Sequence, residues 1–290
     1  MLRIYLILIS GVLIVSSSSV LIRWTGDVPA TVIAFFRLFI SFCLLIVYKS
    51  FRGKAGLPAL RRFHWHYFLA GFFLSAHFIA WISAIQLTTI ANAIFLESVH
   101  PLFGIIVSVI FLKEYPPRRI YYVLFAALIG MAIIFIQDFG SAGTGLTGDI
   151  FAVFSALFFS MYILIARLHK GEEDFIKYLI FIYGSAALFC AVYIWSSGLS
   201  FSGYALQSWL FMILLALGPN LLGHSTLNWS SRHLQIFKVN LVCLLEPVMA
   251  TLSGMLFLAE YPALHFYPGA ALILVSLAFL FYRDAQKISE

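Results

Sequence analysis

The chain has 290 residues, 62% of them apolar and 10% charged, with a formal net charge of +6. A soluble domain carries about 45–50% apolar and about 25% charged residues, so a soluble globular fold is excluded. The positive charge would suit nucleic acid, but its distribution along the chain follows a membrane topology, and no nucleic-acid partner is expected.

A helix rises 1.5 Å per residue, so about 20 apolar residues cross about 30 Å of hydrocarbon. Ten such runs occur, at 4–22, 28–48, 65–87, 90–112, 119–137, 148–166, 177–195, 209–229, 236–258 and 264–282. The first follows Arg3 and passes through Ser16–Ser19, as a signal peptide would. It continues apolar to Ile22, long enough to span, and is predicted to remain as a helix. Asp27-Val28-Pro29, Pro116-Pro117 and the Gly-rich Gly140–Gly148 supply turn chemistry between runs. Trp24, Trp65, Trp195, Trp209 and Trp229 fall at run ends, where an amphipathic ring suits the interface; Trp81 lies deeper. Cys43, Cys190 and Cys243 each sit in an apolar run, with no spacing that indicates a disulfide framework or a metal site.

The cations alternate with the runs. Arg3, then Lys49, Arg52, Lys54, Arg61 and Arg62, then Lys113, Arg118 and Arg119, fall on one side. Arg167, Lys170, Lys177, Arg232, Arg283 and Lys287 join them, fifteen in all, against Arg23 alone on the other side. Arg37 and Lys238 lie within runs, and Lys238 is close enough to an end to snorkel. Positive charge stays inside, so both termini are expected to be cytoplasmic in a multi-pass protein of the cytoplasmic (inner) membrane.

Residues 95–116, FLESVHPLFGIIVSVIFLKEYP, align with 241–262, LVCLLEPVMATLSGMLFLAEYP, at an offset of 146. Six of 22 positions match, including Pro101 with Pro247 and Glu114-Tyr115-Pro116 with Glu260-Tyr261-Pro262. The two segments are the fourth and ninth spans, an odd number apart, so they run in opposite directions. The fold expected is therefore an all-α integral membrane protein with ten transmembrane helices in two inverted five-helix repeats, 1–140 and 141–290. Such repeats are typical of secondary transporters, with a site near the midplane between the halves.

Two five-helix halves, each with a central proline and an FL-x-E end to its fourth helix, resemble the EamA-type transporters of the drug/metabolite transporter superfamily. The resemblance covers essentially the whole chain. It implies movement of amino acids, other metabolites or drugs, often outward. Arg37 also resembles an arginine common in that family.

A charge at mid-bilayer costs roughly 2.5–3.5 kcal/mol on insertion scales and so needs a reason. Arg37 is central in span 2, His77 in span 3, Glu97, His100 and Pro101 in span 4, and Glu246 and Pro247 in span 9. These residues, with Trp81, are the candidate substrate and proton site. Glu97 and Glu246 suit a proton site or a counter-ion for a substrate ammonium; the other reading is a buried ion pair such as Glu97 with Arg37. Arg37 suits a substrate carboxylate, or equally a helix carbonyl or a glutamate. His77 and His100 suit proton relay or interhelical hydrogen bonding. Trp81 suits stacking on a flat solute or core packing. Pro101 and Pro247 each remove an amide donor and free the carbonyl four residues earlier, either lining a polar cavity or kinking a packed helix. Asn92, Asn220 and Asn228 read as interhelical glue or cavity lining, Glu114 and Glu260 as helix-terminal or gate residues, and Glu172-Glu173-Asp174 as a solvated loop.

The function expected is secondary transport of a small organic solute, an amino acid or related metabolite, by alternating access, with export favoured by the resemblance. No cofactor is expected beyond possible coupling to protons. The partners expected are the solute and the lipid bilayer, with the protein a monomer or homodimer. The competing readings are a non-transporting membrane scaffold or receptor and an intramembrane enzyme; HExxH and GxSxG, which would favour the enzyme, are absent from the sequence.

Overall fold

The computed structural model describes residues 2–51, 65–135, 145–168, 174–258 and 261–289. The chain-order elements are α1 (Leu2–Val15), α2 (Ser18–Trp24), α3 (Ala30–Phe51), α4 (Trp65–Leu87), α5 (Ile90–Glu97), α6 (His100–Val107) and α7 (Arg118–Ile134). They continue with α8 (Leu146–Leu168), α9 (Phe175–Ser196), α10 (Leu206–Leu215), α11 (Ser225–His233), α12 (Ile236–Cys243), α13 (Glu246–Leu258) and α14 (Phe266–Ser289). Two π-helical pieces, Ser108–Leu112 and Ala216–His224, extend α6 and join α10 to α11. No strand occurs among the described residues.

Among the described residues, eight stretches are long and apolar enough to cross a membrane: Arg3–Trp24, Ala30–Phe51, Trp65–Leu87, Asn92–Leu112, Leu146–Leu168, Phe175–Ser196, Leu206–His233 and Phe266–Asp284. They coincide with eight of the ten runs expected. At the fifth expected position stands α7, of 17 residues. At the ninth stand α12 and α13, of 8 and 13 residues, separated by Leu244 and Leu245. Arg52, Lys54, Arg61, Arg62, Lys170, Glu172, Glu173 and Glu260 lie outside the described residues, as does the boundary between the proposed repeats at 140–141.

Several expected spans are broken, and side chains compete for the backbone at the breaks. At the end of α1, Ser16 Oγ donates to the Val12 carbonyl and Ser17 Oγ to the Ile14 carbonyl, both at 2.8 Å. At the end of α5, Ser98 Oγ donates to the Ile94 carbonyl at 2.6 Å. Serine bonds of this kind compete with the helix ladder. Pro101 and Pro247, which carry no N–H, are the second residues of α6 and α13. Pro219 lies inside the second π-helical piece, and the irregular winding there accommodates it.

Helix α4 packs along α8 and α9, α9 also along α3, and α14 along α7. Small residues set the closest approaches, as is usual where helices associate in lipid. A Cβ at Gly130 would lie 2.7 Å from the Gly269 carbonyl oxygen, and one at Gly269 would lie 2.6 Å from the Gly130 carbonyl oxygen. The two backbones thus touch reciprocally, α7 against α14. Large apolar side chains such as Leu6, Phe125 and Val275 are exposed on the outside of the bundle, the surface a bilayer covers.

Gly130→Ala would push a methyl group against backbone that has no rotamer to escape into. The variant is expected to lose about 1–3 kcal/mol of stability and to melt at a lower temperature in detergent. A thermal unfolding curve unchanged by Gly130→Ala and by Gly269→Ala would show that the α7–α14 contact is looser than described.

Candidate functional site

Arg37 sits on α3 with none of its surface exposed. Its guanidinium lies 3.8 Å from the centroid of the Phe78 ring, a cation–π contact. Nε, Nη1 and Nη2 all lack a hydrogen-bond partner. Two readings of Arg37 open at the sequence level are thereby corrected: it neither forms the ion pair with Glu97 nor holds a helix carbonyl. Its backbone carbonyl is occupied, accepting from Asn220 Nδ2 at 3.2 Å and from Ser41 Oγ at 2.8 Å.

His77 and Trp81 are one turn apart on α4 and share a face. His77 Nδ1 is 3.1 Å from the Ser155 carbonyl and 2.9 Å from Ser155 Oγ on α8. Glu97 ends α5 and His100 begins α6, with Glu97 Oε2 and His100 Nε2 4.0 Å apart across the break. The His100 carbonyl accepts from Ser160 Oγ and from Asn240 Nδ2, each at 3.0 Å. Those bonds tie α6 to α8 and α12, so the break is fixed by its neighbours. Glu246 begins α13 directly after the second break.

Arg37, His77, Trp81, Glu97, His100 and Glu246 line a single cavity, whose wall also includes Phe159 and Cys243. The Phe159 ring stands among the histidines, 5.2 Å from His77 and 5.4 Å from His100 between centroids. About 20 Å³ of the cavity is open to the centre of a water molecule, which is room for about one water. An organic solute fits only after the walls move. Pro101 and Pro247 each follow a lining residue in sequence but are not themselves in the wall.

His224 was missed by the sequence reading. It closes the π-helical piece Ala216–His224, is buried, and lines the same cavity with its ring 5.8 Å from that of His77. Its Nδ1 has no partner. The signal was present: an ionisable side chain inside an apolar span, shortly after Pro219 and Gly223. Ser18, the first residue of α2, also lines the cavity with an unpartnered Oγ. Of the asparagines, Asn220 binds α3 as described, and Asn228 accepts from Tyr178 OH at 3.3 Å, so both join helices. Asn92 takes part in the cap of α5, its backbone N–H donating to Thr89 Oγ1.

One end of the bundle is tied by ion pairs. Asp284 on α14, 3% exposed, accepts from Tyr5 OH at 2.6 Å and from Arg119 Nη2 at 3.3 Å, and also pairs with Lys238 Nζ. Lys238 is therefore a buried, paired cation, which corrects the snorkelling expected of it; the carboxylate 46 residues later in sequence could not be foreseen as its neighbour. Glu114, at its helix end, accepts from Arg167 Nη2 at 2.8 Å, and Arg167 also reaches the Arg232 carbonyl. Asp174 is exposed in the connector before α9, as a solvated loop implies, and it also caps α9 through the Ile176 N–H at 3.0 Å and lies 3.8 Å from Lys49. Away from these pairs, the segments around Arg23–Val28 and Gly203–Ser208 flank a wide opening of about 550 Å³.

A bundle of membrane-crossing helices around a charged internal cavity is the layout of a multi-pass membrane transporter. The chain belongs to the EamA-like transporter family, whose sequence model matches residues 2–136 and again 146–282. It is 26% identical over 260 residues to the pseudopaline exporter CntI of Pseudomonas aeruginosa (strain UCBPP-PA14), covering 87% of this chain and 86% of that protein. A solved crystal structure with 20% sequence identity superposes with a TM-score of 0.79 over 95% of this chain and 96% of its own, a likeness of fold.

Asp284→Asn would leave Lys238 buried without its anion. Breaking such a pair costs about 3–5 kcal/mol, whereas replacing both partners by apolar residues is often neutral. Unfolding in detergent should therefore show a large loss for Asp284→Asn and substantial recovery when Lys238→Met is added. Equal losses in the single and double variants would mean that the pair is not the source of the effect.

Proposed function

We propose that the protein is a secondary carrier that exports a small organic solute, an amino acid or related metabolite, across the cytoplasmic membrane by alternating access. In this reading its ten helices form two inverted repeats, 1–140 and 141–290, with both termini in the cytoplasm. The observation that carries it is the cavity. Residues from both halves converge there, with buried polar atoms left unpartnered inside a membrane bundle. Such atoms are expensive to keep unless a polar ligand visits them.

The offset of 146 supports the two-repeat arrangement. It carries Glu97 onto Cys243, His100 onto Glu246 and Trp81 onto Leu227, and both members of all three pairs line the cavity. A site on the axis between inverted halves has this property. The double match of the family model to the two halves points the same way. Export is supported by the relative that is named an exporter.

The ends of the bundle fit alternating access. The pairs around Asp284 and Glu114 close the end that the positive-inside rule makes cytoplasmic, and the opposite end carries the wide opening. The breaks at α5–α6 and α12–α13 are the flexing points of the two halves. Glu97 and Glu246 are the proton-coupling groups, exchanging protons as the solute enters and leaves.

Labelled amino acids and related metabolites supplied to proteoliposomes, with and without a pH gradient, test the carrier. Saturable flux is expected for the parent and a loss of at least about tenfold for Glu97→Gln and Glu246→Gln. Flux unchanged in both variants would make the glutamates structural. A second test locks the closed end. In a background without native cysteines, a bis-maleimide joining Glu114→Cys to Arg167→Cys should stop transport. Transport persisting in fully crosslinked protein would overturn alternating access at this gate.

A further inference from the structure

The same offset pairs Phe78 with His224 and Arg37 with Tyr183. The members of each pair differ in chemistry, and Phe78 and His224 lie together in space. The rings of Phe78 and His224 meet edge to face with centroids 4.7 Å apart, and the Arg37 guanidinium lies over Phe78. Tyr183 is committed elsewhere: its hydroxyl donates to the Asn220 carbonyl at 3.2 Å and lies 2.8 Å from Ser225 Oγ. Arg37 is free, with three unpartnered nitrogens, and around the same cavity Ser18 Oγ and His224 Nδ1 are also unpartnered.

The acidic groups are displaced from this cluster. Glu97 Oε2 lies 4.0 Å from His100 Nε2. Ring contacts run from Phe78, which carries the Arg37 guanidinium, through His224 and Phe159 to His100, so Arg37 and Glu97 stand at the two ends of this row. Resting on the carrier reading above, we infer that Arg37, His224 and Ser18 form a carboxylate-binding pole opposite an ammonium-accepting pole at Glu97. The solute is thereby held in one orientation.

The chemistry selects the group at each end. A guanidinium presents a planar fork that matches the two oxygens of a carboxylate. His224 and Ser18 add hydrogen-bonding atoms at the wall of the same cavity. A dianion such as phosphate would face two glutamates across a cavity with a single guanidinium, so a monoanion is favoured. A carboxylate without an amine would bring no hydrogen-bond donor to Glu97. The class that satisfies both poles is a small amino carboxylate, and His224 is a specificity residue because its repeat counterpart, Phe78, offers no hydrogen bond.

The test uses the purified full-length protein in detergent and reads thermal stabilisation by the standard L-amino acids and by simple monocarboxylates. Each acid that stabilises is compared with its methyl ester and its decarboxylated amine. The acid is expected to bind the parent at least about tenfold more tightly than either analogue. His224→Phe, which installs the residue of the other repeat, should weaken the acid about tenfold and leave the ester unchanged; Arg37→Lys should do the same to a greater degree. An ester that binds as well as its acid overturns the proposal, as does a parent stabilised by no carboxylate. Equal weakening of acid and ester by His224→Phe assigns that residue to packing and overturns its role. Flux of the same compounds into proteoliposomes separates the two readings. Acid bound through His224 but never moved would leave the pole and remove the carrier, while acid and ester moved equally would leave the carrier and remove the pole.

Discussion

Arg37 is a full positive charge, wholly buried, resting on an aromatic ring with no hydrogen-bond acceptor for any of its nitrogens. Hydrocarbon offers such a group nothing, so it must be served inside the bundle. Much of the interior is arranged in answer. Phe78 faces the guanidinium, Glu246 lies within electrostatic reach, and Asn220 and Ser41 hold the backbone that positions it. What is missing is an acceptor in hydrogen-bond contact, which is the role a transported solute can fill.

The same constraint explains where the helices break. Broken backbone is tolerated in a membrane only where protein or a polar cavity meets it. The breaks at α5–α6, α12–α13 and α1–α2 place Glu97 and His100, Glu246, and Ser18 in the cavity wall. The π-helical piece brings His224 there as well. Irregular backbone and the polar cavity-lining side chains thus coincide, and π-helical insertions often mark functional sites. Rigid packing surrounds them: α7 and α14 meet backbone to backbone at Gly130 and Gly269, and Asp284 ties α14 to α1, α7 and α12. A carrier needs both, stiff units that move as bodies and weak points between them.

Membrane thickness made the spans legible from sequence alone. The run at 65–87 is the helix Trp65–Leu87, and the run at 177–195 differs from Phe175–Ser196 by one or two residues at each end. Hydropathy reports length because the bilayer sets it. The candidate residues were legible for a related reason: an ionisable group in an apolar run stands out wherever it occurs. His224 was overlooked although it carried that signal, because its span also holds Pro219, two glycines (Gly218 and Gly223) and polar residues that blur the contrast.

The sequence by itself determined the all-helical membrane character, the approximate spans, the 146-residue offset between two similar segments and the polar residues available to an internal site. All of these are read along one dimension, through hydropathy, spacing and charge. Tertiary structure decided which of those residues meet. Lys238 finds Asp284, Glu114 finds Arg167, and Arg37 finds Phe78 instead of Glu97. Such pairings depend on how helices far apart in the chain lie against one another and on where each is broken. Helix period and hydropathy carry no information about that choice, because lipid-facing and partner-facing apolar surfaces look alike to both.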